Sequence, residues 1–91
     1  MMSTILYVYS TYEQARYYFN EFLKLHDPNN ILASVSPSHL RIEITSNIYE
    51  FTWLDGIQSR VIGRTFSDVI VDELVTLTPE QVSLLKSRIR S

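Results

Sequence analysis

The segment RVIGRTFSDVIVDELVTLTP, residues 60–79, decides the fold predicted for this chain of 91 residues. A basic turn containing Gly63 leads into the apolar run at residues 69–71, which ends at two adjacent acids, Asp72 and Glu73. A short apolar run bounded by turn residues is typical of a strand that is covered on both faces. The two carboxylates are then predicted to lie at the rim of a sheet, where a metal ion or a water molecule could reach them.

Length and composition restrict the class of protein. A chain of this length has room for one core, so a single domain over residues 1–91 is expected. The hydrophobic fraction is 45% and the net charge is −2, which is typical of a globular chain without a field that attracts nucleic acid. The chain has no cysteine, which excludes disulfides and fits a cytoplasmic location. No apolar run approaches the roughly 20 residues of a membrane span, so no membrane partner is expected.

Two helices are predicted from apolar periodicity and from their end signals. Apolar residues recur at helical spacing between residues 11 and 25, and Ser10 with Glu13 fits a capping box at the start. Proline and Asx residues at 27–30 end this first helix. Residues 78–81, with the sequence TPEQ, supply an N-cap, a proline at the first helical position and a capping glutamine for the second helix.

Alternating and β-branched segments predict the strands. Residues 40–45 and 48–53 alternate apolar and polar side chains on either side of a turn at residues 46–47, which predicts a β-hairpin. The solvent-exposed face of this hairpin is predicted to carry Arg41, Glu43, Tyr49 and Thr52. The other predicted strands are at residues 5–9 and 68–72. Residues 61–62 are predicted as either a short strand or a bulged segment, and residues 31–35 as either a strand or the tail of the helix connection.

The predicted fold is a small α/β domain, with α+β as the alternative. A mixed sheet of four to five strands, including the hairpin, has the two helices packed on it. We expect both helices on one face of the sheet, and the alternative is a three-layer arrangement with one helix on each side. Aromatic residues make up 12% of the chain, so most of them are expected in the core, and an exposed cluster of tyrosines would indicate a partner interface.

The order of these elements resembles the middle of a P-loop ATPase core, as found in phage terminase large subunits and helicase-like motors. The corresponding parts are the turn at residues 60–65, Asp68 ahead of the strand, and a Walker B strand at residues 69–73. The resemblance implies that Asp72 positions Mg²⁺ and that Glu73 orients water, both acting on a nucleotide held elsewhere. The chain departs from the family because it has only two glycines and no phosphate-binding loop, so ATP hydrolysis is not expected.

Other interpretations of the same residues stay open. Asp72 and Glu73 either hold a metal ion or end the strand in a solvated turn. Five basic residues could form one positive patch for a phosphate or an acidic partner if the last helix packs beside the glycine turn. That candidate binding patch consists of Arg60, Arg64, Lys86, Arg88 and Arg90. The alternative is that the basic residues of the last helix only solubilise its end.

The functional hypothesis is a small non-catalytic, phage-type protein that acts in the cytoplasm by binding a host or viral protein. No cofactor is expected under this hypothesis. One alternative is a fragment that binds Mg²⁺ and nucleotide through Asp72 and Glu73, and another is a weak nucleic-acid-binding module. An exposed edge of the hairpin could also pair with a second copy to give a homodimer.

Overall fold

The computed structural model describes residues 3–26, 32–44 and 47–89. The strands are β1 (Ser3–Tyr9), β2 (Leu32–Ser36), β3 (Arg41–Ile44), β4 (Asn47–Trp53) and β5 (Asp68–Val71), and the helices are α1 (Tyr12–His26), α2 (Ile57–Val61) and α3 (Pro79–Ser87). The five strands form one sheet in the order β2-β3-β4-β1-β5. β1 runs parallel to both its neighbours, whereas β2, β3 and β4 are antiparallel. The predicted α/β domain with a mixed sheet and a hairpin is confirmed.

The helices occupy both faces of the sheet. Side chains alternate along β1, so that Leu6 and Val8 join the core under α2 and α3, while Tyr7 and Tyr9 join the core under α1. Our expectation that the helices cover one face is wrong, and the three-layer alternative is correct. From β1 the chain moves across the sheet to the hairpin, and from the hairpin it crosses back over β1 to reach β5. These two connections run in opposite directions across the sheet. Because both have the same handedness, their helices lie on opposite faces of the sheet.

The core on the α1 side is a set of aromatic rings arranged around Phe51. The Phe51 ring is only 4% exposed. It is stacked against Tyr7 on β1, with the ring centroids 5.0 Å apart and the planes 11° apart. Phe19 and Phe22 of α1 meet the same ring edge-on, at centroid distances of 5.9 and 5.7 Å. These arrangements are the favoured ones for aromatic pairs, and they fix α1 against β1 and β4.

The strand that carries the apolar run is at the edge of the sheet, not at its centre. Among the described strands β5 pairs with β1 alone, and Phe66 ahead of it forms an isolated parallel bridge with Ile89. The side chains of β5 alternate between exposed and half-buried positions. Val69 and Val71 pack against the core under α2 and α3, whereas Ile70 on the opposite face is 42% exposed. The prediction of a central strand covered on both faces is therefore wrong, because none of the helices in the described residues lies over the α1-side face of β5.

Several local predictions are confirmed. β3 and β4 form the hairpin. Of the predicted turn at residues 46–47, Asn47 is the first residue of β4, and residue 46 lies outside the described residues. α3 begins with the predicted capping box, in which Thr78 and Gln81 exchange hydrogen bonds of 3.0 and 3.1 Å. The segment at residues 32–36 is a strand, which decides between the two interpretations of that region. The predicted turn at residues 27–30 also lies outside the described residues.

Other local predictions need correction. Residues 57–61 form α2, so the predicted strand at residues 61–62 is wrong. The cap of α1 lies one residue later than predicted, because Thr11 Oγ1 accepts from the amide of Gln14 at 3.2 Å. The side chain of Gln14 in turn accepts from the amide of Ser10 at 3.2 Å.

The hairpin face also differs from the prediction in part. Arg41 and Glu43 point away from the α1-side core as predicted. Tyr49 points toward α1, where its ring lies 4.8 Å from that of Phe22. Thr52 is buried, with 3% of its surface exposed. Neither strand of the hairpin is free at an edge, because β2 pairs with β3 and β1 pairs with β4. The predicted hairpin edge for a homodimer is therefore already occupied by β2. Within the described residues, no helix has the length and apolarity needed to cross a bilayer.

The aromatic core predicts a large loss of stability on removal of its central ring. We expect Phe51→Ala to lower the free energy of unfolding by about 3–5 kcal/mol, because it removes a buried ring and leaves a cavity between two strands and a helix. Urea unfolding followed by circular dichroism measures this loss. The control Tyr17→Ala removes an exposed ring and should change the free energy by about 0.5 kcal/mol or less. A Phe51→Ala loss no larger than that of the control would contradict the assignment.

Candidate functional site

In the part of the chain that the structure describes, two corners of the sheet have no helix over them. On one face, α1 packs over β1 and β4 and leaves β5 uncovered. On the other face, α2 and α3 pack near β1 and β5 and leave β3 open. We call the first surface the tyrosine corner, and it consists of Tyr9, Tyr17, Tyr18, Asp68, Ile70 and Asp72. We call the second surface the polar cleft, and it consists of Ser36, His39, Arg41, Glu43, Glu50 and Arg64.

The tyrosine corner presents stacked rings beside an edge strand. Tyr9 at the end of β1 stacks on Tyr18 of α1 with the ring centroids 4.7 Å apart and the planes 10° apart. Tyr17 meets Tyr18 edge-on at 5.1 Å. Tyr17 and Tyr18 are 59% and 41% exposed, and Ile70 is 42% exposed. A group of exposed aromatic and apolar side chains of this kind marks an interaction surface more often than a single exposed leucine does.

Carboxylates border the same surface. Tyr7 faces Ile70 across the β1–β5 pair, and its pKa is raised by burial and, to a smaller extent, by the charges of Tyr49 and Asp68. The pKa of Tyr9 is raised from its ordinary value of 10.0 to about 12, first by burial and then by the negative charge of Asp72. Asp68 and Asp72 therefore place negative charge beside these two tyrosines.

Asp72 and Glu73 form a turn after β5. The Asp72 amide donates to the carbonyl of Val8 at 3.0 Å, and its Oδ2 accepts from the amide of Leu74 at 3.2 Å. The Asp72 carbonyl also accepts from the amide of Val75 at 2.9 Å. This is a side-chain-stabilised Asx-type turn, which is the structural interpretation of the acids. In the described part of the chain, no group of three or more His, Cys, Asp or Glu side chains is placed to hold a metal ion.

The polar cleft is a concave surface of about 480 Å³ over the open part of the hairpin. Arg64 approaches Glu50 with both terminal nitrogens, one of them 3.0 Å from Glu50 Oε1. The side chain of Glu50 is only 12% exposed, so this ion pair is better shielded from water than most surface pairs. His39 Nδ1 lies 3.1 Å from the hydroxyl of Ser36. The cleft therefore contains charges of both signs.

Arg60 holds the turn between β4 and α2. Its Nε donates to Thr52 Oγ1 at 2.8 Å, and its Nη2 donates to the carbonyl oxygens of Trp53 and Asp55. The guanidinium carbon lies 3.8 Å from the centroid of the Trp53 ring. Burial lowers the pKa of Arg60, while the charge of Asp55 opposes that change. The side chain thus satisfies two carbonyl groups at the end of a strand and packs on a ring, which is a structural role.

The residues of the predicted basic patch differ in their contacts. Arg60 contacts the end of β4. The backbone carbonyl of Arg88 instead accepts a hydrogen bond from the amide of Phe66, near the start of β1. Arg64 lies between them, with its guanidinium 5.0 Å from the Phe66 ring. Lys86 is exposed on the last turn of α3, and Arg90 lies outside the described residues.

Comparisons of this chain with protein-family models, with curated proteins and with solved structures give no match. The resemblance to P-loop ATPases therefore stays a prediction.

The tyrosine corner was not identified from the sequence. Tyr18 belongs to the helical apolar stripe, which predicted a core position for it. Ile70 belongs to the apolar run, which predicted cover on both faces. The available signal was the pair of neighbouring tyrosines at positions 17 and 18, since two adjacent residues of a helix cannot both face the same core.

The contacts of Arg60 predict that its loss destabilises the fold. We expect Arg60→Ala to lower the free energy of unfolding by about 2 kcal/mol, because two carbonyl groups and Thr52 lose a charged donor. Thermal and urea unfolding measure this effect. Arg41→Ala is the matched control, because Arg41 is exposed and lies 3.9 Å from its partner Glu43; it should cost about 0.5 kcal/mol or less. Equal losses in both variants would contradict a structural role for Arg60.

The raised pKa of Tyr9 predicts a loss of stability at alkaline pH. An unfolded tyrosine ionises near 10.0, whereas folded Tyr9 keeps its proton until about pH 12. The stabilisation is therefore fully present below pH 10 and is lost as the pH rises through the folded pKa. Tyr9→Phe has no proton to lose, so its unfolding free energy should fall less across this interval than that of the wild type. Parallel pH profiles for the two proteins would show that Tyr9 ionises normally.

Proposed function

We propose that this protein is a non-catalytic binding module that docks another protein at the tyrosine corner. The observation that carries the proposal is that Tyr17, Tyr18 and Ile70 are all exposed, and that Tyr18 stacks on Tyr9 of β1, the strand that pairs with the edge strand β5. No other element covers this surface in the described part of the chain. Binding a protein there would remove apolar area from water, which is the main favourable term in protein association.

The rings of the corner are suited to binding because they are already held in place. Tyr18 stacks on Tyr9, and the hydroxyl of Tyr17 donates to the Glu21 carboxylate at 3.4 Å. Side chains that are ordered before binding lose little conformational entropy when a partner arrives. Tyrosine is also enriched at protein interfaces, since its ring is apolar and its hydroxyl can reach water or a polar partner.

The charge of the corner favours a protein partner over nucleic acid. Asp68, Asp72 and Glu73 are adjacent to it, and they would repel a phosphate backbone. The basic residues Arg60 and Arg64 are engaged by Asp55, Thr52 and Glu50 inside the domain. Under this proposal, the partner is the host or viral protein that is expected from the motor-like order of elements, and the domain itself acts without a cofactor.

Affinity capture with paired variants tests this proposal. The wild-type protein, the double variant Tyr17→Ala/Ile70→Ser and the control Arg41→Ala are immobilised and exposed to lysate from the cell that naturally contains the protein. We expect the wild type and the control to retain the same specific protein. The double variant should retain at least about tenfold less of that protein, which corresponds to a loss of roughly 1.4 kcal/mol of binding free energy. All three should have similar melting temperatures, because the substituted side chains are exposed. Equal retention by all three proteins would place binding elsewhere and overturn the proposal.

A further inference from the structure

We infer that the docked segment is a basic, extended stretch of polypeptide that adds to β5 as a sixth strand. This inference rests on the proposed function, because it names the class of partner that the tyrosine corner takes. It depends on two separate properties of β5, namely the direction of its backbone groups and the charge of its side chains. Addition of a strand to a sheet edge is an established form of recognition, in which backbone hydrogen bonds contribute affinity and alternate side chains contribute specificity.

The first property is an outward-facing backbone. The Asp72 amide points to β1, since it donates to the Val8 carbonyl. Because amide directions alternate along a strand, the Val71 and Val69 amides point away from β1. The Val69 amide donates to Oδ1 of Asp68 at 2.9 Å. The Asp68 carboxylate therefore occupies one hydrogen-bonding position of the edge, which protects it against indiscriminate pairing.

The second property is uncompensated negative charge. Asp68, Asp72 and Glu73 form no salt bridge with any of the residues that the structure describes. Asp68 and Asp72 alternate with Ile70, so both carboxylates lie on the same face as the tyrosines. A lysine or arginine on an added strand would meet these carboxylates directly. Its long side chain would also reach the exposed part of the Tyr18 ring, since aromatic rings attract cations.

These two properties are coupled through Asp68. A cation that pairs with the Asp68 carboxylate competes with the Val69 amide for the same oxygen atoms. Withdrawal of the carboxylate leaves the Val69 amide free to donate to the carbonyl of an incoming strand. Asp68 thus selects for basic segments, because an uncharged or acidic segment offers no cation to draw the Asp68 carboxylate away from the Val69 amide.

The carboxylates of Asp68 and Asp72 also disfavour other molecules that could bind at β5. Antiparallel pairing of β5 with β5 of a second copy would bring Asp68 of one copy close to Asp72 of the other, which like-charge repulsion disfavours. Phosphate-bearing polymers are repelled for the same reason. The length of β5, four residues, limits the paired segment to about four to six residues. The expected segment alternates basic residues, facing the tyrosines, with β-branched apolar residues that extend the core beyond Val69 and Val71.

Short synthetic peptides test this inference directly. The probes are the capped hexapeptides KVKVKV, EVEVEV and KKKVVV, titrated into the isotopically labelled full chain and followed by amide chemical shifts. We expect saturable binding of KVKVKV only, with the largest shifts at Val69 and Val71 and slower hydrogen exchange at both amides. Asp68→Asn keeps an oxygen for the Val69 amide but removes the charge, and it should weaken KVKVKV binding about fivefold. Arg41→Ala should bind KVKVKV as the wild type does.

The outcomes separate this inference from the proposal on which it rests. Equal binding of KVKVKV and KKKVVV, without slower hydrogen exchange at the Val69 and Val71 amides, would show that charge alone attracts the peptides. That result would overturn strand addition. Binding of EVEVEV as strong as that of KVKVKV would overturn the selection for basic segments. Absence of KVKVKV binding, together with partner capture that still depends on Tyr17 and Ile70, would overturn the inference and leave the docking surface in place. Association of the protein with itself at β5, seen as a dimer in sedimentation, would assign the edge to a second copy and overturn the inference.

Discussion

Phe51 occupies the position on which the α1 half of the molecule depends. Its ring contacts β1 through Tyr7 and α1 through Phe19 and Phe22. Phe51 therefore supports both the parallel pairing of β1 with β4 and the packing of α1 on these strands. The stack continues from Phe51 to Tyr9 and from Tyr9 to Tyr18, so the buried rings of the core also hold the exposed rings of the tyrosine corner in their orientation.

The number of helices explains why functional surface exists in so small a domain. Five strands form a sheet that is wider than one helix, and one helix packs on the first face while two short helices pack on the other. Each face is therefore covered in part. The uncovered parts fall at opposite edges, because the chain reverses direction at β4 and places its later helices over β1 and β5. The apolar uncovered corner is at β5, and the charged one is at β3.

The sequence predicts the features that local signals determine. The periodicity of α1, the alternation of the hairpin and the capping box at Thr78 each depend on residues a few positions apart, and all three are found in the structure. The position of β5 within the sheet cannot be obtained in this way, because it depends on the direction in which the chain crosses β1. The apolar run predicts a strand equally well at an edge or at the centre. Only the alternating burial of its residues shows which it is.

The candidate surfaces, like the fold, depend partly on local sequence signals and partly on contacts between distant residues. Glu50 and Arg64 are separated by fourteen positions, and no local pattern joins them into an ion pair. Tyr18 lies on the apolar stripe of α1, but the stripe does not show how far the helix extends over the sheet. The width of the sheet beneath the helix determines which residues of that stripe stay exposed. The acids at the end of β5 were recognised from the sequence, whereas the rings beside them were not.

The placement of the two uncovered corners has a further consequence for assembly. They lie on opposite faces and toward opposite edges of one sheet, so a protein seated at either corner does not block access to the other. Occupation of the tyrosine corner by a docked protein would therefore leave the polar cleft, with its ion pair between Glu50 and Arg64, in contact with solvent.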